Sequence, residues 1–247
     1  MVGMLVWRTP QEGKREKAVI LQERSILHVR LQSAEILRGE KTPETVVRRR
    51  IRAAARKLQK LGIRQVILPT DFEHEDLLEA WGLQRVSTLP LRQMLSADWA
   101  RRRLEEQKIP AAGARVAVIA EGLTGAIVRT VTELALRHRY VMLQVSYGGE
   151  ELCHQLRREY GVSLLLRPGR EQLDAADVTL LFAPRPGLGR EGCLAIWDEA
   201  VSLPQLSLPP ALEDILPPDT NRIQMLEILL EAGVLRPGQI AFAGGEF

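Results

Sequence analysis

The chain has 247 residues, 45% of them apolar and 26% charged, with a formal net charge of +3, which suffices for a proper core in one large or two modest domains. No apolar run approaches the roughly eighteen residues of a membrane-spanning helix, and residues 1–8 are too short for a signal peptide, so the expectation is a cytoplasmic protein with no membrane partner. Its two cysteines, Cys153 and Cys193, provide neither a disulfide framework nor a C-x-x-C site.

Residues 4–7, 18–21 and 26–31 are short apolar runs that predict strands, the latter two close enough for a hairpin, with His28 inside the second of them. Thr42-Pro43-Glu44 opens a helix, with Thr42 as N-cap and Pro43 at the first helical position. Within this helix, residues 44–61, the side chains of Val47, Ile51, Ala54, Leu58 and Leu61 form an apolar stripe. The stripe leaves Arg48, Arg49, Arg50, Arg52, Arg56, Lys57 and Lys60 on the outward faces. Such a face is either solvated or meets nucleic-acid phosphates, and an aromatic content of 4% leaves few rings for base stacking, which argues against nucleic acid as the partner. Gly62 ends the helix, residues 64–68 predict a strand, and a short helix over 73–81 closes at Gly82. Asp71, Glu73, His74, Glu75 and Asp76 cluster after that strand end. They read as an acidic helix start in preference to an acid–base or metal site, and no metal is assigned.

A helix over residues 92–106 follows Leu89-Pro90-Leu91, and Ile109-Pro110-Ala111-Ala112-Gly113 reads as a linker. The expected division is therefore a smaller α/β N-terminal domain, residues 1–110, and a second domain, residues 111–247.

The second domain carries the most informative pattern. Val116-Ala117-Val118-Ile119-Ala120 is a buried-strand run, Glu121-Gly122-Leu123-Thr124-Gly125 a turn, and residues 126–139 a helix. Residues 140–145 predict a second strand, a helix follows with Leu152, Leu156 and Tyr160 on one stripe, and Gly161 ends it before a third strand at 162–166. Asp174-Ala175-Ala176-Asp177 then precedes the apolar run that ends at Ala183-Pro184. Gly122 and Gly125 are spaced as glycines are where a strand hands over to a helix with its backbone close to a phosphate. On these residues the segment resembles a Rossmann-type NAD(P)-binding domain over about seventy residues.

The resemblance implies a mainly parallel sheet and a nucleotide with its phosphates on Gly122, Thr124 and Gly125, its ribose near Ser146, and Ala183 and Pro184 as the adjacent wall. It makes NAD or NADP the candidate cofactor. The sequence departs from the family pattern in three places. Val128 fills the last glycine position of G-x-x-G-x-x-G, and the second strand ends in Ser146-Tyr147-Gly148-Gly149 without a carboxylate for the ribose. Only residues 185–192 separate the fourth strand from the apolar run 193–197, too few for a parallel crossover, so the last strand is expected to be antiparallel. The literal G-x-G-x-x-G of residues 187–192 leads into that strand and not into a helix, and reads as a hairpin loop.

Beyond residue 201 a proline-rich extension precedes a helix over residues 222–231, capped by Asp219-Thr220-Asn221. Its apolar residues need a partner, either the sheet or a second copy in a homo-oligomer. No G-x-S-x-G, H-E-x-x-H, phosphate-loop or Tyr-x-x-x-Lys pattern occurs, so catalytic residues stay unassigned. The composite expectation is a Rossmann-like protein that senses a nucleotide or small anionic ligand or acts as a scaffold. An NAD(P)-dependent oxidoreductase is the alternative, and nucleic-acid binding through helix 44–61 a third reading.

Overall fold

The computed structural model describes residues 1–11, 16–187 and 192–243. They gather into two compact units, one of residues 1–88 and 208–236, the other of residues 89–207 with those from Pro237 onward.

The first unit opens with β1 (Val2–Arg8), β2 (Val19–Ile26), β3 (Val29–Leu37), α1 (Glu44–Lys60), β4 (Gln65–Ile67), α2 (Glu75–Glu79) and β5 (Gln84–Arg85). The strands form one sheet in the order β2-β3-β1-β4-β5, antiparallel only at the β2–β3 hairpin. Leu27 and His28 make the hairpin turn with φ of 47° and 69°, the double left-handed conformation that matches strand twist. His28 therefore sits in the turn and not in a strand. On one sheet face Leu5, Ala34, Ile36 and Val66 pack with Val47, Ile51, Ala54 and Leu58 of α1, as the helical stripe requires. Leu61 leaves that stripe: it is the C-cap residue and 48% exposed. Thr42 does not cap α1, because its Oγ1 accepts from the Gly39 N–H at 2.9 Å. Pro43 is the N-cap, its carbonyl accepting from the Val46 and Val47 amides.

The second unit begins with α3 (Leu89–Met94) and α4 (Ser96–Glu106), two helices where one was expected. Then come β6 (Arg115–Ile119), α5 (Gly125–Arg137), β7 (Tyr140–Gln144), α6 (Gly149–Tyr160), β8 (Leu165–Leu166), α7 (Arg170–Asp174), β9 (Val178–Leu181) and β10 (Cys193–Ala195). The sheet runs β10-β9-β6-β7-β8 and every pair is parallel. Counted from β6 this is the strand order 3-2-1-4-5 of the doubly wound Rossmann fold. The second unit is Rossmann-like.

The antiparallel last strand is corrected: β10 pairs parallel to β9, with Cys193 opposite Thr179 and Ala195 opposite Leu181. Strands this short make the return trip small. Residues 182–192, about eleven, reach some 36 Å when extended, which is enough chain to return for a parallel pairing. Gly192 fits the entry to β10 because its φ is 96° and a Cβ there would lie 2.9 Å from the Asp177 carbonyl oxygen. The expected boundary at residue 110 also differs from the compact units: α3 and α4 belong with the second sheet, where α4 packs on α5 and β9.

The chain closes with β11 (Leu206–Ser207), α8 (Pro210–Glu213), α9 (Arg222–Glu231) and β12 (Ala241–Phe242), the last antiparallel to β11. Segment 208–236 belongs to the first unit and not to the Rossmann-like one. Asn221 caps α9, its Oδ1 accepting from the Gln224 N–H at 3.1 Å. Gln224 is buried and its Oε1 accepts the Leu68 N–H at 2.8 Å, while the Asn221 N–H donates to the Leu68 carbonyl. These bonds satisfy the backbone where β4 has run out. Among the described residues no helix is long and apolar enough to cross a membrane.

Candidate functional site at the carboxyl ends of the parallel sheet

Val116, Ala117, Val118 and Ile119 of β6 are wholly buried, as a central parallel strand covered on both faces demands. From β6 the chain moves through α5 to β7 on one side and later returns to β9 on the other. The crevice at the carboxyl ends of β6 and β9 is thus a topological switch point, where open α/β sheets place ligands.

At this end the Ala120 N–H donates to the Gln144 carbonyl, and the chain turns through residues 121–124 into α5. Thr124 is the N-cap: its Oγ1 accepts from the Ile127 N–H at 3.3 Å and its carbonyl from the Val128 N–H at 2.9 Å. The amides of Gly125 and Ala126 remain as outward donors at the positive end of the helix dipole. Space beside Gly125 is open, with no atom within 4 Å of where a Cβ would stand.

Gly122 is different. A Cβ there would lie 2.3 Å from both Cζ and Oη of Tyr147, whose ring rests on the bare glycine backbone. Tyr147 comes from the turn after β7 and is 70% exposed. The two turns are joined by the Ser146 N–H donating to the Glu121 carbonyl at 3.1 Å. Gly148 takes φ 82°, and a Cβ on it would approach Leu123 Cδ1 at 3.0 Å. The contact of Leu123 with Gly148 and of Tyr147 with Gly122 interlocks the turns.

The six residues read from the sequence fall at one end of the sheet. Gly122, Thr124 and Gly125 form the first turn, and Ser146 is hydrogen-bonded to it through Glu121. Ala183 and Pro184 leave the neighbouring strand β9, where the Phe182 N–H donates to the Ile119 carbonyl at 2.9 Å. Sequence reasoning missed Tyr147 and Gln144. Gln144 ends β7, and its Oε1 is buried without a hydrogen-bond partner among the described residues, an unmet acceptor near the strand end where a ribose carboxylate was sought. At the turn after β7 a cavity of about 260 Å³ is lined by Leu143, Ser146, Gly148, Glu150 and Arg167, with Arg167 paired to Glu150 at 3.0 Å. An aromatic directly before a glycine pair was the one local signal for Tyr147. Residues 188–191 of the glycine-rich motif lie outside the described residues.

The His74 Nε2 is 3.1 Å from Glu44, Asp76 pairs with Arg48 at 3.2 Å, and Glu75 with Arg85 at 3.5 Å. Asp71 accepts from the Trp7 Nε1–H and from Arg38, each at 2.6 Å. The acids after β4 thus turn toward separate cations. His138 is buried and its Nδ1 donates to the Ala111 carbonyl at 3.1 Å, which gives it a structural task at the end of α5. His154 is exposed on α6.

No protein-family model matches the chain, and no curated protein matches its sequence. Among solved structures it is similar to L-tryptophan dehydrogenase from Nostoc punctiforme, at 16% identity and a TM-score of 0.27 over 61% of this chain and 44% of that one. A D-isomer specific 2-hydroxyacid dehydrogenase from Lactobacillus delbrueckii ssp. bulgaricus, in its NAD-complexed form, matches at 14% identity and a TM-score of 0.28, covering 54% and 46%. Shikimate 5-dehydrogenase from Listeria monocytogenes, in complex with shikimate and NAD, matches at 10% identity and a TM-score of 0.29, covering 81% and 74%. The chain spans less than half the length of the first two. The fold assignment rests on the strand order.

Proposed function

We propose that the Rossmann-like unit is a ligand-sensing or scaffolding module that receives a nucleotide or small anionic ligand on the Gly122 to Gly125 turn. The observation that carries this reading is the seat of Tyr147 on Gly122. A phosphate approaching the turn backbone needs the space that the ring fills, so occupancy displaces the ring and with it the turn at residues 146–149. Binding is thereby coupled to a conformational change through differential contacts, which is what a sensor requires. The open N-terminus of α5 supplies the attraction for the anion. Ser146, joined to the first turn through its N–H bond to the Glu121 carbonyl, is the candidate for the ribose hydroxyls.

Thermal denaturation with NAD, NADP, ADP and AMP tests the reading. A ligand at a hundredfold excess over its dissociation constant adds about 2.7 kcal/mol to stability, and Thr124→Ala should weaken that response. No shift with any of the four overturns the nucleotide reading, and the oxidoreductase alternative with it.

A further inference from the structure

We infer that the outward face of α1 is a docking surface for the phosphate backbone of a nucleic-acid duplex, independent of base sequence. The seven cations of this helix divide into two groups. Arg48 pairs with Asp76, Arg50 donates to the Leu37 carbonyl, and Lys57 Nζ donates to the Val19 carbonyl at 2.9 Å. These three lie on the flanks and tie the helix to its own sheet and to α2. Arg49, Arg52, Arg56 and Lys60 are exposed, and no ion pair or hydrogen bond of their side chains occurs among the described residues.

At about 100° per residue these four fall within an arc of roughly 80°. Thr45, Gln59 and Ala53 share that part of the helix and are exposed as well, so it presents no acid and no large apolar side chain. The line runs about 16 Å along the axis. A duplex carries one phosphate for about every 1.7 Å of axis when both strands are counted, about ten over that length, so the strands facing the helix offer partners for up to four long cationic side chains. The net charge of the whole chain is only +3, whereas this face carries four cations and no acid.

Charge complementarity selects the partner, and the buried apolar stripe removes the main competitor. A helix lying on a membrane surface inserts its apolar side, but Val47, Ile51, Ala54, Ala55 and Leu58 are committed to the core of the first unit. Few aromatic residues are needed, because contacts to phosphate do not involve base stacking.

The test is fluorescence anisotropy of the full chain with labelled 30-base-pair DNA and RNA duplexes of mixed sequence, alongside sedimentation with phosphatidylserine-containing vesicles. Four contacts give a log–log salt slope near −3.6, so binding should weaken about 150-fold between 50 and 200 mM salt. Arg52→Gln with Arg56→Gln should halve that slope to about −1.8, while Arg170→Gln, an exposed arginine of the other unit that pairs with Asp174, should leave it unchanged. The DNA and RNA arms show which duplex geometry fits the line of cations. Absence of binding at 50 mM salt overturns the proposal, as does a slope that the double variant leaves intact. Binding to vesicles without binding to either duplex overturns it too. Circular dichroism of the double variant should match the parent, because none of its changed side chains touches the core.

Discussion

Replacing Tyr147 with alanine should strengthen nucleotide binding. Tyr147 is 70% exposed, so roughly 30% of its surface at most is withdrawn from water by contacts that include the one with Gly122. For a tyrosine that is about 60 Å², and at about 25 cal/mol per Å² the covered state is favoured by about 1.5 kcal/mol. The receptive state is then populated near one part in ten, and the apparent dissociation constant is raised by that factor. Tyr147→Ala removes the penalty and should lower the dissociation constant of ADP or NAD about tenfold, measured by isothermal titration calorimetry. Tyr147→Phe keeps the ring and should stay within a factor of two or so of the parent, since the contact is mainly with the ring body. An unchanged or weakened affinity in the alanine variant refutes the reasoning: the first outcome denies that the ring obstructs the turn, and the second makes it a ligand contact.

Three further outcomes follow from the fold. His28→Gly, at φ 69° in the exposed hairpin turn, should raise the urea midpoint by the equivalent of about 1 kcal/mol, whereas His28→Val should lower it. Ile51→Ala should cost about 2–5 kcal/mol in urea denaturation while Leu61→Ala stays within about 0.5, because the first is fully buried and the second is not. Gln224→Ala should cost about 1–3 kcal/mol by orphaning the buried Leu68 N–H, and Asn221→Ala about 1 through loss of the α9 cap.

Local patterns carried much of the fold. The run 116–120, the glycines after it and the helical stripe of α5 are signals within a few residues of one another, so the strand–turn–helix of the second unit was legible, and with it the six residues at the sheet end. Other features depend on parts of the chain that meet only in space. Leu61 continues the 3.6-residue spacing of α1, yet the helix ends one residue before it, and spacing alone does not record where the backbone stops. The orientation of β10 was misread because crossover length was judged against connections that contain a helix, while strands of three and four residues need far less chain. Tyr147 and Gln224 were invisible because each meets a backbone far from it in sequence, at Gly122 and Leu68, and the unpartnered Oε1 of Gln144 is a consequence of packing that no local pattern records.

The bonds from Asn221 and Gln224 to Leu68 set an order of events on the ribosome. Residues 89–207 emerge as an uninterrupted block that can close its own parallel sheet, whereas the first unit waits for a helix that starts roughly 130 residues after its first segment ends at Thr88. At about 5–20 residues per second that is a delay of some 7–27 s. During it the earlier sheet carries the Leu68 amide without its glutamine. A truncation ending at residue 88 would freeze that immature state, so an autonomous first unit has to be made by splicing 208–236 back onto it.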